Sequence, residues 1–200
     1  MGFMMAALQQ QIDFIRELDQ LKRVHRKLKL RFDNDRFENS AEHSWHITLA
    51  AQVLQQYAEE NIDISRVTMM LLIHDVVEID AGDTFAFADQ AAQDAQEIAE
   101  HQAAERLFGL LPEEQSEQFL TLWHEFERAE SPDARFAKAI DRILPLFQNM
   151  QNGGGSWREH GVTREQVRKR NDYLQQSAPA LWEYACEQIE LATERGWLIG

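Results

Sequence analysis

The chain has 200 residues, 44% hydrophobic and 27% charged, proportions of an ordinary globular protein with length enough to bury a large core. Its net charge of -14, from 34 acidic and 20 basic residues, argues against general nucleic-acid binding. No run of about eighteen apolar residues can span a membrane, the start MGFMMAALQQQ has neither the basic region nor the apolar run of a secretory leader, and the lone Cys186 excludes an internal disulfide, so the expected location is cytoplasmic.

Helical periodicity dominates. Gly and Pro are few, nine and four, and no segment alternates strictly over strand length. Residues 6–24 space Leu8, Ile12, Ile15, Leu18 and Leu21 three to four apart, which predicts an amphipathic helix. Residues 25–38 are polar and irregular and read as a loop. Ser40 suits the N-cap of a helix over 41–60, with Trp45, Leu49 and Val53 on its apolar stripe. A third helix, 64–78, is apolar almost all round, the mark of a central position. Gly82 ends it, and residues 84–93 read as a loop or short helix. Further helices are expected over 94–109, closed by Gly109 with Pro112 beyond, then over 113–127 and, after Ser131-Pro132, over 132–151. The run Gly153-Gly154-Gly155 is too short for a domain linker and reads as a loop, before helices over 163–175 and 178–195. The expectation is an all-α fold forming a single domain over residues 1–200, with its core at about 8–150 and C-terminal helices at about 160–197.

Two local features carry chemistry. Seven cations (Lys22, Arg23, Arg26, Lys27, Lys29, Arg31 and Arg36) stand against Asp33 and Asp35 in one short stretch of an otherwise acidic chain, either a solvated face or a local anion site. His74-Asp75 follows the apolar run Met69 to Ile73 on the helix expected to be most buried. A buried carboxylate is normally paired or on a metal, and an isolated His-Asp dipeptide is most often a hydrogen-bonded pair in a bundle. The surroundings shift that balance. Glu78 projects from a similar side of the helix, Asp83 follows the break at Gly82, His43 opens another helix, and Asp141 adjoins the stripe Phe136, Ile140, Leu144 and Phe147. Two imidazoles and two carboxylates from three helices can form an N/O site open to water and substrate, suited to Mn, Fe, Co, Ni or Zn.

The order His43, His74-Asp75, Asp141 resembles the HD superfamily of metal-dependent phosphohydrolases. Glu38-Asn39-Ser40-Ala41-Glu42-His43-Ser44 resembles the segment around that family's first histidine. His74-Asp75-Val76-Val77-Glu78 with Gly82-Asp83 resembles its "HDxxE" and "GD", Leu122-Trp123-His124-Glu125-Phe126-Glu127 its "LWxEYE", and Ala139-Ile140-Asp141-Arg142 its "xIDK". The resemblance covers about residues 8–150 and points to the branch of bacterial 5'-deoxynucleotidases and their eukaryotic relatives. It implies a compact helical HD-domain bundle with extra C-terminal helices, and one divalent transition metal, with Mg also possible, on His43, His74, Asp75 and Asp141. It also implies Glu78 and Asp83 as the acidic pair that positions and deprotonates the attacking water, and a phosphate contact from Arg26, with Arg36 second by position. Relatives often carry a tryptophan soon after that arginine, whereas this chain has Lys27-Leu28-Lys29-Leu30.

Other candidates read more plainly. His46, three residues after His43, is expected to be a packed or supporting histidine rather than a second metal ligand; His101 and His124 read as surface or interhelical, His25 and His160 as loop residues, and Cys186 as a structural thiol. The glycine run is no phosphate loop, lacking a following Lys-Ser/Thr. Trp45, Trp123 and Trp182 read as core or dimer contacts. The expected activity is hydrolysis of (deoxy)nucleoside 5'-monophosphates, a small phosphate ester being the partner and neither nucleic acid nor membrane. The alternatives are another nucleotide or phosphorylated metabolite, or a non-catalytic metal- or nucleotide-binding module. A homodimer is expected from the resemblance, with surface offered by Leu181, Trp182, Tyr184, Ile189, Leu191, Trp197 and Leu198.

Overall fold

The computed structural model describes residues 2–33 and 35–200; Asn34, in the stretch expected to be a loop, lies outside them. The order is α1 (Gly2–Leu18), a 3-10 turn (Asp19–Arg23), β1 (His25–Leu30), β2 (Arg36–Asn39), α2 (Ser40–Leu54) and α3 (Ile64–Ile73). A 3-10 turn (His74–Val77) and the short α4 (Glu78–Ala81) follow, then α5 (Gln90–Phe108), α6 (Glu113–Arg128), α7 (Pro132–Gln151), α8 (Gly155–His160), α9 (Arg164–Asn171), α10 (Leu174–Ser177) and α11 (Pro179–Glu194). The helical fold expected from the periodicity forms, although the helix expected over 64–78 ends at Ile73 and the one expected over 163–175 is split into α9 and α10, and one stretch is the exception in not being helical.

That exception is the loop expected at 25–38, which is an antiparallel hairpin pairing Lys29 with Phe37 and Leu30 with Arg36. Its period of two is written in Arg26, Leu28 and Leu30, which turn inward while His25 and Lys27 face water. The alternation is too short to stand out from sequence, but it brings Arg26 and Glu38 inside together. The chain enters α2 through a capping box of Asn39 and Glu42. Asn39 is therefore the cap expected at Ser40, and Ser40 sits one residue inside the helix, buried.

α2 turns Ser40, His43, Ser44, Ile47 and Ala51 inward. The stripe expected on this helix points the other way: Trp45, Leu49 and Val53 are exposed. The same reversal occurs in α1, where Leu8, Ile12 and Ile15 face water and Phe14 is the buried anchor, its ring 5.9 Å from Phe119. α3 is capped by Asp63 and buries Val67, Met70, Leu71 and Ile73, but it leaves Met69 and Leu72 partly open, so its all-round apolarity does not mean all-round burial.

Two apolar clusters make the core. One gathers Ile47, Met70, Leu71, Phe126, Phe136 and Ile140 with the C-terminal side chains Leu174, Leu181 and Ile189. The other gathers Phe14, Ile73, Val76, Leu107, Phe108 and Trp123. His74 and Asp75 lie where the chain passes from the first to the second. The C-terminal helices are thus part of the chain's own core: of the side chains expected to offer a dimer surface, Leu181, Ile189 and Leu198 are buried, Trp182 and Trp197 pack on the core and Leu191 is half-buried, leaving Tyr184 exposed. The glycine run is a tight turn, with Gly153, Gly154 and Gly155 all at positive φ. A Cβ on Gly154 would meet Arg158 and Trp197 at 2.7 Å.

Candidate metal centre

Three elements meet at the seam of the two clusters. α2 supplies His43, the tight turn after α3 supplies His74 and Asp75, and α7, begun by Ser131 as N-cap and Pro132 in its first turn, supplies Asp141. One ligand atom each from His43, His74 and Asp141 lies within 4.8 Å of the others. His43 Nε2 is 3.0 Å and His74 Nε2 3.6 Å from Asp141 Oδ1. Asp75 flanks this group, with Oδ1 2.9 Å from His74 Nε2 and Oδ2 accepting a hydrogen bond from Arg26 Nη1 at 2.8 Å.

The hydrogen bonds around these groups test whether a cation fits. His74 Nδ1 donates to Leu71 O at 2.9 Å. Its Nε2 then points at the carboxylates of Asp75 and Asp141, yet has no aligned hydrogen-bond partner. A lone pair facing two carboxylates is repelled unless a proton or a metal ion lies between them. The electrostatics agree: burial disfavours the imidazolium, but Asp75 and Asp141 still push His74 up to about 10. Asp141 is held well below the usual carboxylate range against its burial, by His43 and His74. Residues present and geometry both fit a divalent cation.

A supporting layer was missed in sequence. Glu38 is buried, with Oε2 3.6 Å from His43 Nδ1 and 3.7 Å from Arg26 Nε, while Gln148 Nε2 donates to its Oε1 at 2.8 Å. A carboxylate behind a histidine fixes which ring nitrogen is free to bind. The buried Trp123 donates from Nε1 to His74 O at 3.1 Å, tying the turn to α6, and the Phe126 ring lies edge-on to His74 at 5.1 Å. The tryptophan stretch was legible as a motif; this structural role was not.

A cavity of about 580 Å³ opens above the centre, lined among others by Arg26, Asp75, Glu78, Asp83, Phe85 and Arg170. Glu78 is buried and accepts from Ser40 Oγ at 2.5 Å. Burial, then Asp75, pushes the Glu78 carboxyl well up; burial also raises Asp83, opposed by Arg26. Asp83 reaches the cavity because Gly82, at φ 74°, ends α4. Arg36 does not line the cavity. Its guanidinium pairs with Glu42 at 2.8 Å and with Asp33 on the surface, because β2 turns it outward, so its expected place beside a phosphate is corrected. His46, expected to be packed or supporting, is instead exposed, its ring tilted against that of Trp45 at 6.1 Å.

The HD domain model matches residues 18–182. The chain belongs to the HD domain family. It is similar to 5'-deoxynucleotidase HDDC2 of Homo sapiens, 28% identical over 137 residues, and of Bos taurus, 29% identical over 137 residues. Each alignment covers 68% of this chain, which spans 65% of the length of those curated relatives. Among solved structures, a predicted metal-dependent phosphohydrolase from Magnetospirillum magnetotacticum MS-1 superposes with a TM-score of 0.91 at 45% identity, covering 98% of this chain and 97% of that one. An HD-domain phosphohydrolase from Listeria innocua shares the fold at a TM-score of 0.62 and 17% identity, over 92% of this chain and 97% of its own. No described helix is long and apolar enough to cross a membrane.

Proposed function

We propose that this HD-domain chain is a metal-dependent phosphohydrolase that converts (deoxy)nucleoside 5'-monophosphates to nucleoside and phosphate. The observation that carries the reading is His74 Nε2, unpartnered and facing two carboxylates, at the floor of a cavity that also holds Glu78 and Asp83. The nucleotide class is supported by the names of the relatives from Homo sapiens and Bos taurus.

In this reading His43, His74, Asp75 and Asp141 hold one divalent metal: Mn, Co, Fe, Ni or Zn suit the imidazoles, and Mg suits the carboxylates. When bound, such an ion lowers the pKa of water and offsets phosphoryl charge. Asp83 takes the proton of the attacking water, and its raised pKa brings it nearer the pH at which a base is most useful. Glu78, buried beside Asp75 and held by Ser40, helps to orient that water, and the proton taken by Asp83 is free to pass to the departing 5' oxygen. Arg26 has five N–H donors; Asp75 and Glu38 engage Nη1 and Nε, which leaves donors for a phosphate oxygen. Phe85 and Phe87, packed edge to face with ring centroids 5.5 Å apart, offer an aromatic face for a base, which is absent at Lys27-Leu28-Lys29-Leu30.

That departure favours, as a second reading, a different phosphorylated metabolite at the same centre. A phosphate-release screen over the nucleoside monophosphates and simple sugar phosphates, with Mn²⁺, Co²⁺ and Mg²⁺ in turn, separates the two. Turnover confined to sugar phosphates overturns the nucleotide assignment, and no turnover of any ester overturns the hydrolase. A cytoplasmic setting, supported by the free Cys186, belongs to this proposal. So does a homodimer, whose surface moves from the C-terminal helices to the exposed Trp45, Leu49 and Val53 of α2 beside Met69 and Leu72 of α3. Light scattering that finds a 23.3 kDa particle at micromolar concentration overturns the dimer.

A further inference from the structure

α9 turns one face toward the cavity. Val167, Arg170 and Asn171, three and four residues apart, all line it, while Arg168 turns away and stacks over Trp182 at 5.4 Å and Lys169 is exposed. This face carries two unmet demands. Asn171 Nδ2 donates to Val167 O at 2.8 Å, but its buried Oδ1 has no partner. Arg170 is half-buried, and among the described residues no carboxylate, carbonyl or ring engages it.

The other cations of the cavity differ. Arg26 is held by Asp75 and Glu38. Lys138 pairs with Glu127 at 2.9 Å and sits 4.1 Å from the Phe126 ring centre. Arg142 lies over the Tyr173 ring at 5.1 Å, and Lys27 is exposed. A half-buried guanidinium that no protein group engages has donors to spare, and of the charges around it Asp141 and Asp83 attract it while Arg142 and Arg26 repel it. Such a group is stabilised by an anion arriving in the cavity.

We infer that Arg170 is a second phosphate-binding guanidinium, which meets the substrate's phosphate from the α9 side of the cavity while Asn171 Oδ1 accepts a hydrogen bond from a hydroxyl or N–H of the leaving group. The substrate class is then a phosphate monoester of an alcohol that carries its own hydrogen-bond donor, as a nucleoside does. This rests on the hydrolase reading, but its test does not need turnover.

The probe is inorganic phosphate, titrated into the metal-loaded protein and followed by the rise in melting temperature and by calorimetry. Arg170→Ala is expected to weaken phosphate binding about 10- to 100-fold, Arg170→Lys to recover part of it, and Lys169→Ala, which removes the same charge from the same helical turn, to leave it unchanged. Without phosphate, the melting temperature of Arg170→Ala should equal or exceed that of the wild type, because the variant loses an unpartnered charge; a structural role predicts a fall. An Arg170→Ala protein that binds phosphate within twofold of wild type overturns the inference, as does a wild type with no response to phosphate. Phosphate binding that depends on Arg170 in a protein that hydrolyses no ester would keep the site and overturn the hydrolase reading instead.

Discussion

The floor and the wall of the cavity are built by different means. The floor hangs on long, internally hydrogen-bonded elements: His43 is on α2, Asp141 on α7, and the His74-Asp75 turn is clamped by Trp123. The wall is assembled from a hairpin, the segment 82–89 and the short α8 and α9, which bring Arg26, Asp83, Phe85 and Arg170 from distant parts of the chain. Positions on packed helices hold ligand geometry closely, whereas short elements tolerate exchange of side chains. The difference suits a centre whose chemistry is constant beneath a pocket whose substrate can be changed.

The sharpest way to break the comparison is at the floor. His74→Ala and Asp75→Asn should each abolish metal binding and turnover, read by elemental analysis and phosphate release. A variant that kept its metal would move the centre elsewhere. Metal uptake should also carry a proton signature. In the metal-free protein Asp75 and Asp141 hold His74 protonated up to about 10, so an incoming ion displaces that proton. Calorimetry near pH 8 should show about one proton released per metal ion, as a heat that varies with the ionisation enthalpy of the buffer. The sign for stability follows. A histidine raised in the fold contributes fully below its unfolded pKa of about 6.5, and that contribution is lost as pH rises through about 10. The metal-free protein should therefore melt at progressively lower temperature across that window, and a flat profile would refute it.

At the junction of floor and wall, Glu78→Ala and Asp83→Ala should keep the metal and lose about 100-fold or more in kcat. Kinetics with wild-type turnover in both variants would remove them from the mechanism. One layer behind, Glu38→Gln keeps the shape beside His43 but removes the charge. It should weaken metal affinity about 10- to 100-fold, measured by competition with a chelating dye; unchanged affinity would make Glu38 only a partner of Arg26 and Gln148.

How much of this was legible in the sequence follows the same division. His74-Asp75 stands out because an apolar run announces a buried charge, and His43 and Asp141 join it because the order of the three segments resembles the family motif. α7 was readable to its ends, because Ser131-Pro132 is a local start signal and Phe136, Ile140 and Leu144 keep a strict period. The hairpin is hidden because the inward residues of its first strand number three, one of them an arginine, and that of its second strand is Glu38. Glu38 shows in the sequence only as the first residue of the run that leads to His43, and tertiary contact with His43 and Gln148 gives it a role. The apolar stripes of α1 and α2 are legible as stripes, but not which way they face; at α2 the inward face carries the site residues Ser40, His43 and Ser44 beside Ile47 and Ala51, and Trp45, Leu49 and Val53 are left outside. Arg170 had no signal at all, being one of three consecutive basic residues whose directions only the helix reveals.

The smallest expected effect lies on the wall and bears most directly on what the protein acts upon. Phe85 stands between Phe87, at 5.5 Å, and His160, at 4.4 Å between ring centres, so its ring is held by neighbours on separate elements. If a nucleobase rests on this aromatic group, Phe85→Ala should raise KM for the best nucleoside monophosphate about two- to tenfold, the worth of one aromatic contact, with kcat little changed because uniform binding is what is lost. Phe85→Leu, which keeps apolar area but not the flat ring, should fall between. A phosphate ester with no base, such as a simple sugar phosphate, should be indifferent to both substitutions. If the base-free ester suffers as much as the nucleotide, the aromatic group supports the segment 82–89 and the placement of Asp83 rather than the substrate, and the wall joins the floor as a rigid part of the catalytic centre.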